Sequence, residues 1–393
     1  MNRISVSTYL VRPFIPVGAF IFHMNKNRLL VLAVVALPAG AFASDVEIYG
    51  KLTGAIESSQ TTYSGKSDGT TTKVESYDSY IGFKGNEDLG NGLKAIWQVE
   101  QNIQLDGSDS WDSWASRETF VGLSGAWGTV QAGYLDNFQR KYSRLDPHKA
   151  TGWTGMRDSH VNYYSAVSVA YTESLVRNAL AYTSPEWNGL TARVLYSTAG
   201  ESRSVHGSSE NLYEIGLRYV RNGFYGQYAY TRTNNAYSNG VSWPVVPGAG
   251  GVPVQIRMHY VEAGYEANGW LAAVTYVNQH DTGDAFTHPN QGLIGDSLIK
   301  SRAIGVNVAY TFGRWTPHFQ YQHAWQPSDF EEGSYLDTSG ESFNQYILGV
   351  DYALSKRTEL QAAAGYIKSG NDPRRNTPYL KGHTVSLGLS HSF

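Results

Sequence analysis

From Asp45 to the C-terminus the chain repeats one pattern: large apolar side chains at every second position, with small or polar ones between them. A period of two is that of a β-strand, whose successive side chains point to opposite faces. In the last segment Val385, Leu387 and Leu389 fall on one face, while Thr384, Ser386, Gly388, Ser390 and Ser392 fall on the other. Leu93, Ala95, Trp97 and Val99 alternate with Lys94, Ile96, Gln98 and Glu100 in the same way, as do Leu348, Val350, Tyr352 and Leu354 with Gly349, Asp351 and Ala353. In a sandwich both inner faces would be large and apolar. Here the second face is too small and too polar to fill a core, which suits a wall between lipid and water.

The pattern predicts strands at 45–57, 74–87, 91–104, 115–126, 128–135, 176–185, 189–199, 211–221, 223–234, 256–267, 269–281, 301–312, 314–326, 342–354, 357–369 and 381–393. Most are near the roughly ten residues with which a tilted strand crosses a bilayer. Their connections alternate in length. Short ones such as Arg221-Asn222-Gly223, Ala267-Asn268-Gly269 and Phe312-Gly313-Arg314 carry the Gly or Asn that tight hairpins need. Long ones fill 58–73, 105–114, 136–175, 200–210, 235–255, 282–300, 327–341 and 370–380. The expected fold is all-β, a 16-stranded antiparallel transmembrane β-barrel with long external loops. Closure leaves no strand edge facing lipid, where each unpaired backbone group costs several kcal/mol.

The N-terminus reads as an export signal. Met24 opens a segment with Lys26 and Arg28, an apolar run from Leu29 to Leu37, and the small-x-small triplet Ala41-Phe42-Ala43, with a cut expected before Ser44. The apolar run is far short of the roughly 20 residues of a spanning helix. Met24 is the expected start, with residues 1–23 upstream of it. Two domains follow: a signal peptide over 1–43 and a single barrel over 44–393. Residues 1–43 hold four bases (Arg3, Arg12, Lys26, Arg28) and no acid, so the remaining chain nets −7.

Composition narrows the function. With no cysteine there is no disulfide scaffold and no Cys-based metal or redox site. Near-balanced charge offers no basic surface for nucleic acid. No GxSxG, HExxH or GxxxxGK[ST] occurs, and the eleven histidines are scattered, so neither an enzyme nor a cofactor is expected. The load of 41 glycines and 28 tyrosines fits hairpin turns and aromatic girdles at the two membrane interfaces. Tyr49, Trp127, Tyr134, Trp187, Trp270, Phe312, Trp315 and Phe393 sit at strand ends where a girdle belongs. A ladder of lumenal rings guiding sugars is the alternative role for the aromatics.

Several motifs occur in order along the chain: Tyr49-Gly50-Lys51; Ile81-Gly82-Phe83-Lys84-Gly85; Glu87-Asp88-Leu89-Gly90-Asn91-Gly92-Leu93-Lys94-Ala95; Arg117-Glu118-Thr119-Phe120-Val121-Gly122-Leu123; Tyr182-Thr183-Ser184-Pro185-Glu186-Trp187; and the terminal Phe393. Together they resemble the trimeric general porins of Gram-negative bacteria, most closely the neisserial and beta-proteobacterial branch. His391 departs from the family, which commonly places an aromatic two residues before the final Phe of the barrel-assembly signal. Tyr80 stands where enterobacterial relatives carry a wall arginine.

The resemblance implies a homotrimer in the outer membrane, in contact with its lipid and lipopolysaccharide and inserted by the barrel-assembly machinery. It also implies a third long loop folded inward, opposite a basic wall. By motif, Lys51 and Arg117 belong to that wall. Alternation places both on the polar face and, by parity, Lys84, Lys94 and Arg177 with them. For each base a solvated position at the rim is the other reading. The constriction loop would carry Asp136, Arg140, Arg144, Asp146, Arg157 and Asp158. Over 136–175 five bases oppose four acids, a net of +1 that would favour anions. The implied function is passive diffusion of ions and small hydrophilic solutes through a water-filled channel, with a substrate-specific sugar channel as the alternative.

Overall fold

The computed structural model describes residues 45–63, 66–107, 114–145, 175–198, 211–236, 254–283, 297–325, 342–369 and 380–393. The export segment and the cut before Ser44 lie outside them. The strands are β1 (Asp45–Tyr63), β2 (Lys66–Ser76), β3 (Tyr80–Gly90), β4 (Leu93–Asn102), β5 (Thr119–Gly125), β6 (Gly128–Asp136), β7 (Leu175–Thr183), β8 (Leu190–Ser197), β9 (Asn211–Arg221), β10 (Phe224–Ala236), β11 (Val254–Ala267), β12 (Trp270–Gly283), β13 (Ser297–Tyr310), β14 (Trp315–Trp325), β15 (Ser342–Ala353), β16 (Thr358–Ser369) and β17 (Leu380–Ser392). One short helix, α1 (Phe138–Tyr142), follows β6.

Apart from β2 and β3, consecutive strands pair antiparallel, and β1 closes the circle on β17 from Lys51↔Ser392 to Tyr63↔Leu380. The other edge of β1 pairs with β3 at Lys51↔Tyr80 and with β2 from Gly54↔Ser76 onward. These two segments are one strand interrupted at 77–79, so the closed barrel has 16 strand positions, as the pattern predicts. At the interruption Asp78 takes φ +45°, and Ser79 Oγ accepts from Thr53 N at 2.9 Å in place of a ladder bond.

The expected long connection at 58–73 is instead almost all strand. β1 continues to Tyr63, β2 returns from Lys66, and Gln60 faces Thr70. Ser and Thr populate both faces there, so no apolar period marks it, yet the Thr-rich segments suit extended backbone. At the opposite end the turns Asn188-Gly189, Asn222-Gly223 and Asn268-Gly269 all have positive φ at both residues. That is the backbone of a type I′ hairpin, which Asn and Gly adopt with least strain.

Side-chain exposure separates the two faces. Ile56, Leu348 and Leu387 are 61%, 64% and 61% exposed, while Thr53, Gln131, Gln320, Gln345 and Thr384 on the opposite face are buried. Leaving one large aliphatic side chain in water forgoes about 1.5–3 kcal/mol. A continuous exposed belt of them requires lipid. The inner face is less uniformly polar than the alternation suggests, because Met258, Val277, Ile347 and Ile367 are buried on it. At the short-turn end, outward rings meet in pairs, with centroids 4.8 Å apart for Phe224 and Tyr265 and 4.5 Å for both Trp270–Tyr310 and Trp315–Tyr352. These are girdle positions. Tyr49 is not, since it points to the inner face. Phe393 packs over Gly50, where an added Cβ would lie 2.5 Å from the ring, and the two backbones exchange hydrogen bonds of 3.0 and 3.1 Å.

Candidate functional site

Among the described residues, two groups of charged side chains on the inner face surround the start of the third long connection. The first surrounds Arg117, on the approach to β5. Its guanidinium bridges Asp78 at 2.8 Å and Glu100 at 3.4 Å, bonds Asn102 Oδ1 at 3.2 Å, and lies 4.5 Å from the Tyr80 ring centroid. Tyr49 donates its hydroxyl to the same Glu100 at 2.8 Å. Asp78 can reach the guanidinium because the strand is interrupted there. Burial acts to lower the Arg117 pKa, but the Asp78 carboxylate, with Glu100 and Asp136 behind it, more than reverses this. The pKa is therefore raised above its ordinary value, and the side chain stays charged.

The second group holds the first residues of the third long connection. Asn137 caps α1, its side chain accepting from Arg140 N at 2.9 Å, and Arg140 pairs with Asp136 at 2.6 Å. Lys141 reaches Glu118 at 3.4 Å, which links this group to the first. From there the segment lies against the inner face of β8 to β13. Glu214 on β9 accepts from Phe138 N at 2.8 Å and from Thr231, and pairs with Arg193 on β8 at 3.4 Å. Arg193 donates a second bond, of 2.8 Å, to Asp136 O. Gln227 on β10 donates to Tyr142 O, and Asn307 on β13 to Arg144 O.

Glu262 on β11 accepts four bonds. Arg144 N and Tyr225 Oη reach Oε1 at 3.0 and 2.9 Å, while Ser143 Oγ reaches Oε2 at 2.9 Å together with the Tyr260 hydroxyl. Two glycines make room for the segment. A Cβ on Gly216 would lie 1.9 Å from the Phe138 ring, and one on Gly305 would lie 2.6 Å from Leu145. Phe138 and Tyr142 join a buried apolar cluster with Ala229, Met258, Tyr260 and Ile367.

The model of the Gram-negative porin family matches residues 29–372. The major outer membrane protein P.IB of Neisseria lactamica is 31% identical over 383 residues, covering 94% of this chain and 100% of the relative. The protein of the same name from Neisseria meningitidis serogroup B is 31% identical over 379 residues, with the same coverage. The chain belongs to the Gram-negative porin family. Among solved structures, an anion-selective porin from Comamonas acidovorans matches with TM-score 0.65 at 20% identity, covering 89% of this chain and 100% of that one. The trimer form of OmpT from Vibrio cholerae matches with TM-score 0.60 at 15% identity, covering 90% and 100%. At these identities the likeness is one of fold. The porin is an outer-membrane channel protein of a Gram-negative bacterium, not an enzyme.

Within the porin, the residues singled out from sequence do not form one wall. Lys51 faces Tyr80 across the β1–β3 ladder, on the inner face beside the Arg117 group. Lys84 is nearer the short-turn end, paired with Glu47 at 3.1 Å and 4.7 Å from the Tyr49 ring centroid. Lys94 is exposed beside the turn, between Asp88 and Ser124 in the ladder. Arg177 departs from its expected face. Asn178 takes φ +48° and the β6–β7 register shifts between Gly133 and Leu135, so parity is lost and Arg177 is exposed, 5.8 Å from the outward Tyr134 ring centroid. In the loop, Arg140, Arg144 and Asp136 carry the contacts above, and Arg144 also pairs with Glu266 at 2.8 Å. Asp146, Arg157 and Asp158 lie outside the described residues.

Sequence reading passed over Arg193, Glu214, Arg218, Glu262 and Phe138. The first four were open to the same parity argument that singled out Lys84. Arg218, on the inner face of β9, lies 5.5 Å from the Tyr142 ring centroid, and its buried Nε has no acceptor among the described residues. Phe138 carried no comparable signal, since one aromatic in a polar connection is unremarkable until its glycine seat is seen.

Proposed function

We propose that this porin is a general diffusion channel, passing ions and small hydrophilic solutes down their gradients, and that its third long connection folds inward to narrow the lumen. The observation that carries this reading is the anchoring of Asn137–Leu145 on inner-face groups of β8 to β13, above all on Glu214 and Glu262. A connection that turned outward would leave those carboxylates without their backbone donors. An anion preference is the selectivity proposed, supported by Arg218 on the inner face, by the net charge of the connection, and by the selectivity stated for the Comamonas porin. The assembly proposed is a homotrimer, supported by the trimer form of the Vibrio porin. Export through cleavage before Ser44, contact with lipopolysaccharide, and insertion through a C-terminal signal ending in Phe393 complete the proposal.

Liposome swelling with sugars of graded size, together with reversal potentials in a salt gradient, tests the function. A smooth decline of rate with solute size and a reversal potential of anion-selective sign are expected. Saturable block by a single sugar would instead mark a substrate-specific channel.

A further inference from the structure

On the outward face near the long-connection end, basic residues stand in register on neighbouring strands. Arg232 on β10 is directly opposite Arg257 on β11. One step toward the membrane centre, His259, Asn278 and Arg302 form a second row. Arg257 and Arg302 are exposed, and among the described residues Arg232 bonds its neighbour Asn234, at 3.0 Å. Directly opposed side chains on a sheet lie about 5 Å apart, and like charges there repel. Among the described outward side chains in this half of β9 to β14 there is no Asp or Glu, whereas the inner face of the same strands holds Glu214 and Glu262. The repulsion is therefore not relieved within the sheet.

Depth identifies what relieves it. Just beneath the rows lie Tyr228 and Tyr276, with Trp325 opposite Arg302, and outward Tyr and Trp mark the level of lipid headgroups. Arginine binds phosphate through two parallel N–H donors, which suits a doubly ionisable phosphate better than a zwitterionic headgroup.

We propose that the row Arg232–Arg257, extended by Arg302, is a binding site for the phosphate-monoester headgroup of a membrane lipid. The lipid chains would cover the aliphatic belt below while the phosphate sits between the two guanidinium groups.

The test uses the full-length porin in phosphatidylcholine nanodiscs containing either phosphatidic acid or the matching diacylglycerol, with retained lipid counted by native mass spectrometry. The wild-type protein should retain phosphatidic acid in preference to diacylglycerol. Arg232→Gln/Arg257→Gln should retain it about thirtyfold more weakly, equivalent to about 2 kcal/mol, with unchanged conductance. Glutamine keeps the length and polarity of the position, and unchanged heat-modifiable migration on gels would show the barrel intact. Equal retention by variant and wild type, or no preference between the two lipids, would overturn the proposal. So would displacement of bound phosphatidic acid by millimolar inorganic phosphate, because the site would then take a free anion and not a lipid.

Discussion

Replacing Glu262 with Ala isolates the anchoring of the third connection. The carboxylate accepts two bonds from that connection, Ser143 Oγ at 2.9 Å and Arg144 N at 3.0 Å, and two from the wall tyrosines. A hydrogen bond to a charged acceptor contributes about 1.5–3 kcal/mol net, so the two bonds to the connection represent about 3–6 kcal/mol. Water entering the vacated space would replace part of this. The lower end, about 3 kcal/mol, is the better estimate, and it corresponds to about a 150-fold change in the ratio of docked to undocked connection. The barrel itself should survive, since its ladders do not pass through this side chain.

In planar bilayers the Glu262→Ala channel should show higher mean conductance and more open-state noise, and liposomes should admit larger sugars. Glu262→Gln retains one carbonyl acceptor but presents an amide donor to groups that are themselves donors, so it should fall between wild type and Ala. A Glu262→Ala porin with normal heat-modifiable migration and unaltered conductance, noise and size limit would refute the anchoring argument. The segment would then be held by its other contacts, the Phe138 seat foremost.

Gly216→Val should displace Phe138 from its seat and reproduce the Glu262→Ala phenotype without touching a charge; normal conductance in that variant would dissociate the seat from the docking. Arg218→Ala should move the reversal potential in a KCl gradient toward cations, severalfold in ion occupancy at low salt, and the shift should shrink as salt is raised. Lys51→Ala/Arg117→Ala should move it the same way while destabilising the wall near Asp78 and Glu100, read as a lower temperature for loss of the folded band on gels. Unheated protein in mild detergent should migrate as a trimer, and a band at monomer size alone would contradict the proposed assembly. N-terminal sequencing of outer-membrane material should begin at Ser44; residues from before Met24 would exclude the proposed start.

The wall was legible because lipid on one side and water on the other impose a period of two that no other segment of the chain imitates. The Asn-Gly turns were legible because positive φ restricts which residues are suitable. Where both faces meet water the period carries no information, which is why the Thr-rich hairpin of β1 and β2 read as a loop. Arg177 was misplaced for a related reason: parity counts residues, and the irregularity at Asn178 inserts one. The anchoring carboxylates present a third case. Glu262 could be assigned to the inner face, but its partners Ser143 and Arg144 precede it by 119 and 118 residues, and no local pattern links them. The porin family resemblance supplied the inward loop as an expectation. It did not supply the residues that anchor Asn137–Leu145.

Charge counting along the sequence also treats every base as equivalent, and the geometry separates them. Arg117, Arg140, Lys141, Arg144 and Arg193 each contact a carboxylate at 2.6–3.4 Å. An ion several Å away feels such a pair as a dipole whose attraction and repulsion largely cancel, and removing only the base leaves a negative site. Arg218 has the Tyr142 ring for a neighbour and no carboxylate within ion-pair distance among the described residues. Its field therefore reaches the lumen at nearly full strength. Consequently Arg218→Ala should shift selectivity by withdrawing attraction for anions, whereas Arg117→Ala should do so by uncovering Asp78 and Glu100. Neutralising those acids in the same chain separates the cases, because the Asp78→Asn/Glu100→Gln background should abolish the effect of Arg117→Ala and leave that of Arg218→Ala intact.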